Sequence, residues 1–249
     1  MKPKLSAVLL FLLALDFPGA NLVSGQSFCS FIETVSRYQD SVRLDCREGK
    51  CRIDSATFSL DVYLSFFDKL GLPEGKRCDC IYVDRSADGF PILFLERRNF
   101  KNPGPGRDIH SLMKPRRRAR ENITPEDSLE GYLQYLFFYV MGEQFALYWH
   151  ANYLDKHVVC SEEGVGALLA FLRDNDLFVC SSTDMQMIEN VDPTPVLWMN
   201  GRSCTITWIE VETHHGVFRR SYEVSRNHPF AVELKTEIQI AAIDTMFLY

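Results

Sequence analysis

This sequence has no internal repeats, no low-complexity tracts and no long hydrophobic run beyond its first residues. Without repeats, a solenoid or propeller of stacked units is excluded. Without a later apolar stretch of roughly 18–20 residues, the mature chain holds no helical membrane span. No C-x2-C knuckle occurs, so the usual ligand spacing for zinc or an iron–sulfur cluster is missing. Lysine is scarce, with 9 against 18 arginines. The three tryptophans and ten tyrosines fall mostly at core positions by pattern, and no stacking platform for single-stranded nucleic acid can be read from them.

What is present begins with a leader. Lys2 and Lys4 open the chain, Leu5 to Leu15 is an almost wholly apolar run ended by Asp16, and small residues stand at Val23-Ser24-Gly25 ahead of Gln26. The run is too short to span a bilayer and matches the apolar region of a signal peptide over residues 1–25. A buried N-terminal helix or a misplaced start is the alternative. The remaining residues, 26–249, fit one domain with an ample core.

All eight cysteines (Cys29, Cys46, Cys51, Cys78, Cys80, Cys160, Cys180, Cys204) follow the leader. An even count behind a leader points to as many as four disulfides in a secreted or extracytoplasmic protein, with connectivity left open. Cys78 and Cys80 would point the same way along a strand, about 7 Å apart, so each is expected to pair elsewhere, for example with Cys46 or Cys51. A metal cluster of Cys46, Cys51, Cys78 and Cys80 is the functional alternative. An intracellular protein of a hyperthermophile, where disulfides also occur, is the alternative location.

The pattern alternates helix and strand. Phe28–Tyr38 reads as a helix, Ser41–Cys46 and Cys51–Asp54 as short strands, and Leu60–Leu70 as more helical than not. Cys78–Asp84 and Pro91–Arg98 form two strands around the turn Arg85-Ser86-Ala87-Asp88-Gly89. A Pro/Gly-rich basic loop, expected to be mobile over residues 102–125, follows. Ser128 caps a helix to Met141 that has little polar face. Beyond it come strands at Phe145–His150 and His157–Cys160, a helix over Val165–Arg173, and a strand at Leu177–Cys180. The end is mostly strand: Cys204–Val211, Val217–Val224 and Phe230–Leu234. The order is that of an α/β fold, a mixed sheet with a central β-hairpin flanked by helices.

The central hairpin carries the chemistry. Phosphodiester hydrolysis needs one or two Mg²⁺ ions held by carboxylates beside the scissile phosphate. Asp79 opens one strand and Glu96 lies near the end of the other, with Arg98 on the same side as Glu96. Ile81, Ile92 and Phe94 carry this hairpin into the core, so charges continuing that face require partners. The segment resembles the PD-(D/E)XK nuclease superfamily, and Cys78-Asp79-Cys80 with Phe94-Leu95-Glu96-Arg97-Arg98 is similar to small archaeal nuclease-like proteins. The resemblance implies a restriction-endonuclease-like core over residues 26–160 and a β-rich C-terminal extension over 161–249. It implies Asp79 and Glu96 as ligands of Mg²⁺ or Mn²⁺, and Arg98 in the place of the family's lysine. Glu33 would be the additional helical acid and Gln134 the glutamine of the following helix. Arginine stays protonated, so Arg98 can hold a phosphate but relays a proton poorly, and an inactive relative that binds nucleic acid is a second expectation. Val232-Glu233-Leu234-Lys235 matches Glu-x-Lys more closely but has no preceding Asp in residues 205–232.

The charge distribution suits such a partner. The whole chain is at −6 and the leader at +1, which leaves the mature chain at −7. Residues 97–120 hold nine basic residues against Asp108, so that segment stands at +8 and the rest of the mature chain at −15. Arg97, Lys101, Arg116, Arg117, Arg118 and Arg120 are its expected phosphate contacts, unless the segment is a solvated loop. Two further signals share this stretch: the sequon Asn122-Ile123-Thr124 and a basic processing site, Arg117-Arg118-Ala119-Arg120. Cys160 with His157 or His150 follows no nucleophile motif. The reading from a different class is a secreted, disulfide-stapled, non-enzymatic protein that binds a partner through the basic loop.

Overall fold

Phe28, Ile32, Val35 and Gln39 recur at helical spacing and are buried along one side of α1 (Gly25–Ser41). The computed structural model describes residues 25–47, 50–85, 88–97, 113–149 and 155–245. Residues 1–24 of the expected leader (1–25), Arg98, Lys101 and His150 lie outside them.

After α1, β1 (Leu44–Arg47) and β2 (Lys50–Ile53) pair antiparallel, with Cys46 directly opposite Cys51. The helix α2 (Leu60–Ser65) starts at Ser59, whose hydroxyl accepts from the Val62 amide. It stops early, and Leu70 belongs to β3 (Leu70–Gly71), so only the first half of the expected helix forms. The long hairpin is β4 (Lys76–Arg85) and β5 (Asp88–Arg97). Two 3-10 turns, Pro115–Arg117 and Ala119–Glu121, and the short β6 (Thr124–Pro125) lead into α3 (Leu129–Met141). Then come β7 (Tyr148–Trp149), β8 (Lys156–Val159), α4 (Glu162–Asp174), β9 (Phe178–Val179), α5 (Ser182–Glu189) and β10 (Val196–Met199). The chain finishes with β11 (Ser203–Glu212), β12 (Gly216–Ser225), β13 (Val232–Ala241) and β14 (Asp244–Thr245).

The central helix is α3. Ser128 accepts from the Gly131 amide at its start, and ten of its thirteen residues are buried, so neighbours cover it on almost every side. One neighbour is a five-stranded sheet in which β10, β11, β12 and β13 are successive and β8 pairs with β11 beyond β10. Ile206, Trp208, Tyr222 and Val224 of that sheet belong to the same buried cluster as Leu133, Leu136 and Phe137 of α3. Ile209, Val211, Val217 and Ala241 form a second cluster with Val165, Leu169 and Leu172 of α4 and Ile188 of α5. The parity of β11 explains the division: alternate residues face opposite sides, and each side meets its own helices.

Several expectations change here. Every strand pairing among the described residues is antiparallel, so no sheet is mixed. The connections β1–β2, β4–β5, β10–β11 and β11–β12 are too short for the crossover that parallel neighbours need. The hairpin β4–β5 sits in its own three-stranded sheet with β7, apart from the larger C-terminal one. The main buried cluster runs from Phe28 to Val224. Strand β13 is twice as long as expected, because alternation fails where its residues are exposed on both sides. Helix α5 was not anticipated, since Ile188 is its only buried residue, although Ser181 capping the Asp184 amide marks its start.

The basic loop is also corrected. Residues 102–112 lie outside the described residues, but 113–125 is folded, with Ala119 and Ile123 buried and Arg118 bridged to Phe94 of β5. Ala119 has no exposed surface, which removes the exposed processing site. The sequon amide of Asn122 donates to the carbonyls of Pro115 and Arg118 and holds these turns together.

Candidate functional site

Register puts the two hairpin carboxylates on one face. Arg77 is opposite Glu96 and Asp79 is opposite Phe94, so Asp79 and Glu96 are diagonal neighbours. The other face turns Cys78, Cys80, Leu93 and Leu95 into or against the main core. Of the apolar residues expected on the carboxylates' face, Ile92 and Phe94 have no exposed surface, whereas Ile81 is half-buried, and the main core cluster takes the opposite face instead.

Each carboxylate has a partner. The Glu96 side chain is 3% exposed and its Oε1 lies 3.3 Å from Nη2 of Arg117. Asp79 accepts from the Cys80 amide at 2.9 Å, and its other oxygen stands 3.8 Å from Nη2 of Arg77. Glu33 accepts from the Ser161 hydroxyl at 2.7 Å, where α1 meets the start of α4. Gln134 accepts from the Lys69 amide at 2.9 Å and donates to Asp68 at 2.8 Å, tying α3 to the turn before β3. Glu33 and Gln134 are therefore engaged with partners away from the hairpin carboxylates. Among the described residues, no group of three or more His, Cys, Asp or Glu side chains is placed to hold a metal ion.

The basic stretch behaves differently from an open phosphate site. Arg117 reaches Glu96, and Arg118 pairs closely with Glu143. Arg120 pairs with Glu121 at 3.3 Å and lies over the Tyr139 ring. Glu143 completes the arrangement by accepting from the Leu93 amide of β5 at 2.7 Å. Burial raises the Glu143 pKa, and the Arg118 guanidinium opposes that rise. Arg117 and Arg118 are thus clasps that fasten residues 115–121 along β5. Arg97, at the start of the segment, and Lys114, just before the clasped turns, are exposed.

Cys46 is disulfide-bonded to Cys51, which overturns both the pairing of either with Cys78 or Cys80 and the four-cysteine metal cluster. Cross-strand neighbours of a hairpin are close enough to bond each other, whereas Cys78 and Cys80 turn toward the core as thiols. Burial pushes the Cys78 thiol up to about 12 and raises Cys80 as well, so neither is a ready nucleophile or ligand. Cys160 stands against Cys29, and its thiol is raised by burial and by that neighbour.

No family model, curated protein or solved structure matches the chain.

Sequence reasoning missed two polar constellations. One is Glu143 with Arg118, visible only as a charge between the apolar runs around α3 and Phe145. The other lies within the C-terminal sheet. Glu210 has no exposed surface and accepts from Trp208 Nε1 at 3.2 Å, Tyr222 Oη at 2.9 Å, Lys156 Nζ at 3.3 Å and, closely, Arg220. Arg220 also meets Glu212 at 2.6 Å and Glu237 at 2.7 Å. Alternation placed Glu210 in a strand, but no spacing rule marks which cation will face it. An open cleft of about 1230 Å³ is a further feature, lined by Cys29, Glu33, Arg37, Ser161, Asn190 and Asp192 among others.

Proposed function

We propose that this chain is an exported, non-enzymatic binding protein in which the hairpin carboxylates serve the fold. The observation that carries this reading is the buried Glu96 held by Arg117, which uses the central acid of the nuclease-like motif to clasp a neighbouring segment. A buried carboxylate with a guanidinium partner is satisfied without a metal, and a divalent ion would have to displace that cation. The Cys46–Cys51 bond is in keeping with export, the reading also given by the leader. The partner would be anionic, met by basic residues outside the internal clasps, among them the exposed Arg97 and Lys114.

One observation favours the nuclease-like alternative: Asp79 and Glu96 do share a face. Under it, a restriction-endonuclease-like core would hold Mg²⁺ or Mn²⁺ on those two residues and hydrolyse or bind nucleic acid. Purified protein is incubated with DNA and with RNA in Mg²⁺ or Mn²⁺, beside Glu96→Gln. The binding-protein reading expects no metal-dependent cleavage by either protein. Cleavage by the unaltered chain that Glu96→Gln abolishes overturns it in favour of the nuclease. The partner class is read from salt dependence: binding of a polyanion that weakens steeply between 50 and 200 mM salt, and weakens further on Arg97→Glu with Lys114→Glu, supports an anionic ligand.

A further inference from the structure

We propose that Cys29 and Cys160 are the site of a second disulfide, one that staples α1 to the junction between β8 and α4. The two residues are 131 positions apart, yet the Cys29 sulfur lies 2.5 Å from the Cys160 carbonyl oxygen. A second contact fixes the same register. One helical turn after Cys29, Glu33 accepts from Ser161, the residue after Cys160. Positions i and i+4 of α1 thus meet two consecutive residues ahead of α4, so the closeness of Cys29 to Cys160 belongs to a packed junction.

The other thiols lack this arrangement. Cys78 and Cys80 alternate along one strand and face the same way, at a spacing that resists a direct bond. Cys204 is wholly buried in the main cluster, and Cys180 packs against the second one. Cys29 and Cys160 both border the open cleft, which admits an oxidant.

The chemistry is thiol–disulfide exchange with a disulfide donor such as oxidised glutathione or a thiol oxidoreductase. Cys29, the more exposed thiol, loses its proton to solvent and attacks one donor sulfur, and the donor's other sulfur leaves as a thiolate. Cys160 then loses its proton and attacks Cys29, which releases the second donor thiolate. One sulfur–sulfur bond forms in the protein, one breaks in the donor, and two electrons pass to the donor. Burial, with Glu33 and Glu163 nearby, raises the Cys29 thiol, as burial does for Cys160. The pair therefore suits a lasting structural bond better than a rapidly exchanging redox centre.

The full chain is treated with oxidised glutathione, quenched in acid, alkylated under denaturing conditions and digested for mass spectrometry. The expected result is a Cys29–Cys160 peptide pair beside Cys46–Cys51, lost after reduction and absent in Cys29→Ser. The oxidised chain should melt about 10 °C or more above the Cys29→Ser form, because the bond closes a long loop. Three results overturn the proposal: both cysteines alkylated after oxidation, either bonded instead to Cys78, Cys80, Cys180 or Cys204, or Cys29 left as an unresolved glutathione adduct. If Cys29→Ser fails to fold, peptide mapping of the unaltered chain before and after reduction decides the matter alone.

Discussion

Replacing Arg220 by Met removes the cation at the centre of the C-terminal sheet while keeping much of its length and apolar stem. Glu210 would be left without exposed surface and with Lys156 as its remaining cation, itself 29% exposed. Breaking a buried ion pair from one side costs about 3–5 kcal/mol, because the surviving charge stays desolvated. Glu210 retains the Trp208 and Tyr222 donors, which places the loss at the lower end, about 3 kcal/mol. For a chain of this size that lowers the melting temperature by about 6–12 °C. Urea and thermal unfolding followed by circular dichroism measure it directly. The mechanism also predicts non-additivity: Glu210→Gln removes the stranded charge, so the double variant should be at least about 1 kcal/mol more stable than the sum of the single losses implies. A pH dependence accompanies it. Burial raises the Glu212 pKa, but hydrogen bonds from Arg220 and Lys156 outweigh that and lower it. Its contribution is therefore present above the unfolded carboxylate value of about 4.3 and is lost as pH falls through the folded value, with a shallower loss in the Arg220 variant. A loss under about 1 kcal/mol for Arg220→Met, or strict additivity with Glu210→Gln, would refute the reasoning.

Three smaller perturbations test other parts of the molecule. Burial disfavours charged His157, but Asp155 at 3.1 Å and the nearby Asp40 outweigh it and raise the imidazole pKa. Its stabilisation is thus complete below about pH 6.5 and disappears as pH rises through the folded value. His157→Gln should flatten urea stability between pH 6 and 8, and an unchanged profile would count against this. Cys46→Ser with Cys51→Ser should cost about 2 kcal/mol in urea, since the bond spans a sequence separation of only 5, well below the cost expected for opening the Cys29–Cys160 loop. Ser128→Ala should cost about 1 kcal/mol through loss of the α3 cap, read from the same melts.

The local elements were legible because their signals are local. Ser128 and the apolar run after it define α3, and alternation around the turn after Arg85 defines β4 and β5. The face shared by Asp79 and Glu96 follows from that same alternation once the register is known. What these charges touch was not legible. Glu96 needed a partner by burial alone, but nothing in the spacing named Arg117, which lies 21 residues on in a segment whose composition suggested a mobile loop. The positive charge of that segment is plain in the sequence; that Arg117 and Arg118 spend it on Glu96 and Glu143 is a matter of tertiary packing.

The cysteines divide in the same way. Their number and their position after the apolar run Leu5 to Leu15 belong to the sequence, as do helix caps, turn residues and strand periodicity, because each depends on neighbours within a few positions. Which cysteines meet, which carboxylate faces a guanidinium and which strands share a sheet depend on residues that the fold brings together, Arg117 from 21 positions beyond Glu96 and Cys160 from 131 beyond Cys29. Only the folded chain decides those, because a buried charge or thiol takes its partner from whatever the packing of the core brings to it.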